Sequence, residues 1–124
     1  MKNKVSIHWF RQDLRIQDNP SLNYLTKNYD NIVCVFILDE INCDRIIGSA
    51  SKVWLYNALK DLNQQLNGNL IFLSGDPLKV LGELTKFFDV EEISWNRCYE
   101  PWTINRDKKI KEYFKKKIKV NSFN

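Results

Sequence analysis

The chain has 124 residues, 44% hydrophobic and 27% charged, with a net charge of +4. That is one globular domain with a single core, and too weak a positive excess to mark a nucleic-acid-binding surface. No apolar run approaches the roughly 20 residues needed to cross a bilayer, and the short apolar stretch after Met1-Lys2-Asn3-Lys4 runs into Arg11 rather than forming a secretory signal.

Three cysteines (Cys34, Cys43 and Cys98) are odd in number and lack metal-ligand spacing, and there is one histidine. They read as reduced thiols of a cytoplasmic protein with no zinc site.

In chain order, Val5–Phe10 predicts a first strand that stops in a charged segment carrying Arg11, Asp13, Arg15 and Asp18. Asn19-Pro20 then predicts a helix over Pro20–Lys27, with Asn19 as cap and Pro20 at the first helical position. Ile32–Leu38 is apolar on both faces, as a parallel strand covered on both sides should be, and ends at Asp39-Glu40.

Residues 41–50 read as a loop. Ser51–Asn67 predicts a long helix with Leu55, Leu59, Leu62 and Leu66 on one face and Gly68 ending it. Trp54 and Tyr56 stand off that stripe. Leu70–Leu73 is a third strand, closed by Ser74-Gly75. Asp76-Pro77 opens a helix whose Leu81, Leu84 and Phe88 form the buried stripe. Glu92–Trp95 predicts a fourth strand and Thr103–Lys117 a last helix, with Ile110 and Phe114 inward and lysines at 108, 109, 111, 115, 116 and 117 on a solvated face continued by Lys119. Ile118–Phe123 opens a fifth strand that barely finishes, the pattern of a segment cut from something longer. Alternating strands and helices with short connections predict right-handed crossovers and a parallel sheet.

A phosphate-cradling turn needs glycines between the first strand and first helix, and Arg11–Arg15 has none, so dinucleotide and P-loop patterns fail. This also counts against a nucleotide-binding protein of the universal-stress type. A phospho-acceptor receiver needs paired acids after the first strand, where Arg11 stands. No serine lies in a nucleophile elbow, and His8, inside a strand, reads as a packed residue rather than a base.

In an open α/β sheet ligands bind at the carboxyl edge, where Arg11, Asp13, Asp39 and Glu100 fall. The charges of residues 11–18 are expected to pair with one another and lock the loop. Trp9 and Phe10 should enter the core on opposite faces. Glu100 is a candidate to accept the N–H groups of a pterin- or flavin-like ring, or else a surface or helix-capping residue. The lysine-rich helix leaves open an interaction domain for an acidic partner.

Trp9-Phe10-Arg11-Gln12-Asp13-Leu14-Arg15 with Asp18-Asn19-Pro20 resembles the start of the DNA photolyase and cryptochrome family. Gly48-Ser49 with Lys52–Leu55 and Leu59–Leu62, then Leu73–Pro77, then Asn96-Arg97-Cys98-Tyr99-Glu100-Pro101 with Arg106-Asp107, resemble later segments of that family, so the likeness spans essentially the whole chain.

The resemblance implies an α/β fold: a Rossmann-like three-layer α/β/α domain with a five-stranded parallel sheet in the order 3-2-1-4-5. Residues 1–124 would be the antenna-binding domain, with a helical FAD domain outside this chain. In the family the antenna is a folate, a deazaflavin or a flavin. It passes light energy to reduced FAD, which donates an electron to a pyrimidine dimer flipped out of DNA.

This segment alone is then expected to be a catalytically silent monomer that meets damaged DNA only through its parent, a photolyase-type lyase or a signalling cryptochrome. By position, Glu100 matches a contact to the antenna ring, Trp9, Phe10, Arg11 and Asp13 the pocket floor, and Asp39 and Glu40 its rim. Cys98 stands where many members, notably deazaflavin binders, carry aspartate. That favours folate, flavin or an empty pocket over deazaflavin.

Overall fold

The computed structural model describes residues 3–11, 13–39, 41–42 and 49–123, so Gln12, Glu40, Cys43 and Gly48 lie outside the described residues. Five strands alternate with four helices: β1 (Lys4–Phe10), α1 (Pro20–Asn28), β2 (Ile32–Leu38), α2 (Ser49–Gln65), β3 (Leu70–Ser74), α3 (Pro77–Phe87), β4 (Asp89–Asn96), α4 (Pro101–Phe114) and β5 (Lys119–Phe123). All pair in parallel, in the order β3-β2-β1-β4-β5. The chain thus leaves β1 in one direction for β2 and β3, then returns to the other side for β4 and β5. The crevice beyond β1 and β4 is the switch point where such sheets bind ligands.

One face of the sheet packs Ile7, Trp9, Val35, Ile93 and Trp95 against Leu81 of α3 and Ile110 and Phe114 of α4. The other packs Phe10, Cys34 and Phe36 against Leu22 of α1 and Leu59 and Leu62 of α2. Trp9 and Phe10 therefore enter opposite faces, as alternation requires.

The leucine stripe of α2 faces the sheet, with Leu59 and Leu62 buried and Leu55 and Leu66 half-buried, and leaves Trp54 and Tyr56 exposed. Gly68 takes φ +80° just past that helix, and its N–H bonds Asn63 O at 2.8 Å.

Several element boundaries differ from the sequence pattern. Helix α2 begins at Ser49, inside the expected 41–50 loop. Helix α4 begins at Pro101, whose missing N–H costs nothing at the first position, and ends at Phe114 in a turn closed by Ile118 N–H to Phe114 O.

Strand β4 runs from Asp89 to Asn96, longer than the expected Glu92–Trp95, because Asp89 and Val90 pair with Lys4 and Val5 of β1 and Asn96 with Phe123 of β5; Glu92 within it is fully buried. That carboxylate accepts from the Tyr24 hydroxyl at 2.9 Å and the Tyr29 hydroxyl at 2.6 Å, and also from Asn121 Nδ2. The three donors satisfy a charge that sequence alone would place in water.

Candidate functional site at the carboxyl edge of the sheet

Beyond the ends of β1, β2 and β4 the first turns of α4 bring a chain of alternating charges together. Arg106 Nη1 bonds Asp39 Oδ2 at 3.1 Å, and Arg106 Nε lies 3.4 Å from Asp107 Oδ1. Asp107 Oδ2 takes Arg11 Nη1 at 2.8 Å. All four side chains are at most 12% exposed.

The network joins the ends of two strands, β1 and β2, to helix α4. Such pairing in a dry setting neutralises what would otherwise be costly buried charge. Burial raises the proton affinity of the Asp39 carboxyl, but bonds from the Asn42 and Ile41 amides and from Arg106 outweigh it and hold its pKa below the usual range. Burial lowers the Arg11 pKa against the opposing charge of Asp107.

Aromatic rings flank the arginines. The Arg106 guanidinium lies 4.8 Å from the centre of Trp9 and 4.9 Å from that of Trp102, and Arg11 lies 4.7 Å from Trp9. Trp102, half-buried, donates its indole N–H to Glu100 Oε2 at 3.0 Å, so the exposed Glu100 carboxylate is held beside a flat ring. Glu100 occupies the N-cap position of α4 without a side-chain capping bond, and its backbone carbonyl takes the Thr103 hydroxyl.

A second cluster closes the α1 side of this edge. Asn19 Oδ1 caps Leu22 N at 3.0 Å and accepts Asn96 Nδ2 at 2.7 Å, while Asp13 accepts from Asn96 Nδ2, from Asn19 Nδ2 and from the Arg11 amide. Asn96 Oδ1 in turn accepts the Ser21 amide.

Residues 6–124 match the family model described as DNA photolyase.

The chain belongs to the DNA photolyase family.

It is 30% identical over 115 residues to a deoxyribodipyrimidine photo-lyase of Agrobacterium fabrum, covering 90% of this chain and 24% of that protein. It is 33% identical over 111 residues to cryptochrome-1 of Spalax judaei, covering 86% and 19%.

Among solved structures, a class III photolyase from Agrobacterium tumefaciens superposes with TM-score 0.89 at 29% identity, covering 99% of this chain and 26% of that one. A Sulfolobus tokodaii photolyase, described as holding two FAD molecules with the implication of a novel light-harvesting cofactor, superposes with TM-score 0.83 at 28% identity, covering 97% and 29%. The chain spans less than a third of the length of these relatives. Its fold is that of the photolyase N-terminal α/β domain.

In this photolyase-family domain, the residues singled out from the sequence divide into groups. Arg11, Asp39 and Trp9 meet in the charged and aromatic network, and Glu100 joins it through Trp102. Asp13 lies in the asparagine cluster. Phe10 is fully buried against α1 and α2. Cys98 is half-buried, and burial pushes its thiol pKa up against the nearby Arg11 charge, so it stays protonated at neutral pH.

The expectation that the 11–18 charges pair with one another is corrected. Arg11 pairs across the fold with Asp107, and Arg15 bonds the backbone carbonyls of Gln17 and Asp18 at 3.1 and 3.0 Å. The cause is the strand's alternation: Arg11 follows Phe10 and so points to the α4 face of the sheet.

His8 is a packed residue, with Nδ1 2.9 Å from the Ser21 hydroxyl and burial lowering its pKa to about 3. Among the described residues no His, Cys, Asp and Glu cluster could hold a metal, and no helix is long and apolar enough to cross a membrane.

Sequence reasoning missed Arg106, Asp107, Trp102, Asn96 and Asn19 as site residues. A signal for two of them was present: Arg106 and Asp107 share the helical stripe of Thr103, Ile110 and Phe114, and charges on an apolar stripe must find partners.

Proposed function

We propose that residues 1–124 are the light-harvesting, antenna-binding domain of a photolyase-type flavoprotein, with a folate or flavin as the antenna. The observation that carries this is the pair of Trp102 and Glu100: a half-buried ring, backed by Arg106, whose indole N–H fixes an exposed carboxylate at its edge. A flat heteroaromatic molecule stacking there would donate ring N–H groups to Glu100.

The buried Nε and Nη2 of Arg11 lack partners, and donors at this edge suit the carbonyl oxygens of a pterin or isoalloxazine ring. The protonated Cys98 thiol is a poor substitute for an aspartate acceptor, which disfavours deazaflavin. The antenna supplies light absorption when bound. This chain's residues hold and orient it and exclude water from one face.

In this reading the chemistry belongs to FAD in a helical region of the whole protein, which repairs pyrimidine dimers by light-driven electron transfer. The domain is cytoplasmic and monomeric, and it meets damaged DNA only through that whole protein.

The test is fluorescence polarisation of a reduced folate and of a flavin titrated with the domain. Glu100→Ala should weaken binding by about tenfold, the loss of one charge-assisted hydrogen bond worth roughly 1.5 kcal/mol. Unchanged affinity in Glu100→Ala would remove Glu100 from the site, and failure of both ligands to bind would remove the antenna role.

A further inference from the structure

A cavity lies on the far side of Asp107, between α4 and the β4–β5 edge, with a volume of about 290 Å³. Trp95 and Ile104 supply apolar walls, and Arg97, Asp107, Lys108, Lys111 and Ser122 are among the polar residues that line it.

Its electrostatics are one-sided. The Ser122 hydroxyl accepts from Lys111 Nζ at 2.7 Å and from Arg97 Nε at 2.9 Å, so two cations converge on one neutral oxygen. Lys111 also lies 5.9 Å from the centre of the Trp95 ring. Among the described residues none of the three cations has a carboxylate in ion-pair contact. The acid lining the cavity, Asp107, has its two oxygens engaged by Arg11 and Arg106. Burial and the charge of Arg97 both lower the Lys111 pKa, with Asp107 opposing, as expected where cations crowd without an anion.

The indole N–H of Trp95, a fully buried residue, has no hydrogen-bond partner. A buried donor without an acceptor costs on the order of 1–3 kcal/mol and is rare enough in folded proteins to need a cause. Donors and positive charge thus exceed acceptors throughout this corner.

We propose that this cavity binds a small phosphate monoester. Its phosphate sits among Arg97, Lys111 and Lys108, where a dianion best offsets three cations, and its short apolar body lies against Trp95 and Ile104. The volume falls at the lower end of small-molecule sites, roughly 300–1,000 Å³, and limits the body to about a single ring. This site is separate from the Trp102–Glu100 edge and does not rest on the antenna reading.

The probe is phenyl phosphate, titrated into the ¹⁵N-labelled domain and followed by NMR, with phenol and inorganic phosphate as controls. A saturable shift of the Trp95 indole and Ser122 amide signals is expected, with half-saturation near or below about 1 mM. Arg97→Met and Lys111→Met, which keep the aliphatic stem, should each weaken binding at least tenfold. Lys116→Met should leave it unchanged.

No saturable shift at Trp95, or an equal loss in Lys116→Met, would overturn the proposal, the latter by showing diffuse attraction to the lysine face. Inorganic phosphate binding as tightly as phenyl phosphate would overturn the apolar half of the site. Loss of a folded spectrum in either methionine variant would show that these cations hold the structure together instead, and would overturn a ligand role for them.

Discussion

His8 makes the stability of this domain depend on pH in a range where little else titrates. It is fully buried in β1, its pKa falls from 6.5 to about 3 through desolvation, and it is the only histidine in the chain. Asn19 Nδ2, which can only donate, faces Nε2 at 3.4 Å, so Nε2 is the acceptor and Nδ1 carries the proton given to the Ser21 hydroxyl. The Ser21 hydroxyl meets that of Ser94 at 2.6 Å. A second proton on the ring would have no acceptor.

Because the folded value lies below the unfolded one, the unfolded chain binds a proton first as pH falls. The contribution is complete above about pH 6.5 and is lost progressively between there and about pH 3. Between pH 7 and pH 5 the free energy of unfolding should drop by about 2 kcal/mol, with a limiting slope of roughly 1.4 kcal/mol per pH unit. The unfolded chain sets the upper part of this window.

For a domain with about 5–15 kcal/mol in total, this is a large change, read as roughly 5–10 °C in Tm. The assay is urea unfolding at pH 7.0, 6.0, 5.5 and 5.0 for the native chain and for His8→Gln, compared by slope rather than by absolute stability. A flat profile in the native chain, or the same slope in His8→Gln, would refute the buried neutral imidazole.

Two further substitutions test the charged interior. Asp107→Asn removes the partner of Arg11 and leaves a guanidinium whose side chain is 3% exposed, so unfolding free energy should fall by about 3–5 kcal/mol. An effect below about 1 kcal/mol in denaturant titration would show that the network is solvated in solution. Glu92→Gln turns one acceptor oxygen toward its three donors into an N–H₂ group, and chemical denaturation should report a loss of about 1–3 kcal/mol.

Local pattern carried most of the fold. The double-sided apolar run of Ile32–Leu38, the leucine spacing of α2 and the Asn19-Pro20 and Asp76-Pro77 helix starts each follow from side-chain alternation or from capping, which act within a few residues. Both caps are in place, with Asn19 on Leu22 N and Asp76 on Leu78 N.

What stayed hidden depends on partners far along the chain. Arg11 and Asp107 are 96 residues apart, Glu92 and Tyr24 68 apart, and Asn96 and Asn19 77 apart. No local pattern tells a buried glutamate from a solvated one. For the same reason residues 11–18 read as a self-contained set of ion pairs, although Arg11 finds its carboxylate on α4 and Asp13 takes a donor from β4.

The two faces of the central strands explain why the edge is so firmly built. Parallel strands covered by helices are usually apolar on both sides, as β2 is, but in β1 and β4 the buried polar residues gather on the face away from α3 and α4. On the α3–α4 face Trp9 and Trp95, paired in register, meet edge-on at 5.3 Å. On the α1 face the same strands carry Ser6, His8, Glu92, Ser94 and Asn96, all buried.

A polar layer of this kind adds less to stability than an apolar one, but its hydrogen bonds have one arrangement where a greasy contact has many. Ser21 to Ser94, Asn96 to the Ser21 amide and Asn19 to Asn96 fix α1 against β4 in position and rotation. Since α1 begins where the 11–18 loop ends, fixing α1 fixes that loop. On the opposite face the Arg11–Asp107–Arg106–Asp39 chain does the same for α4. Trp102 and Glu100 are therefore held by a helix clamped from within the sheet, the arrangement a site must have if it is to orient a rigid ring.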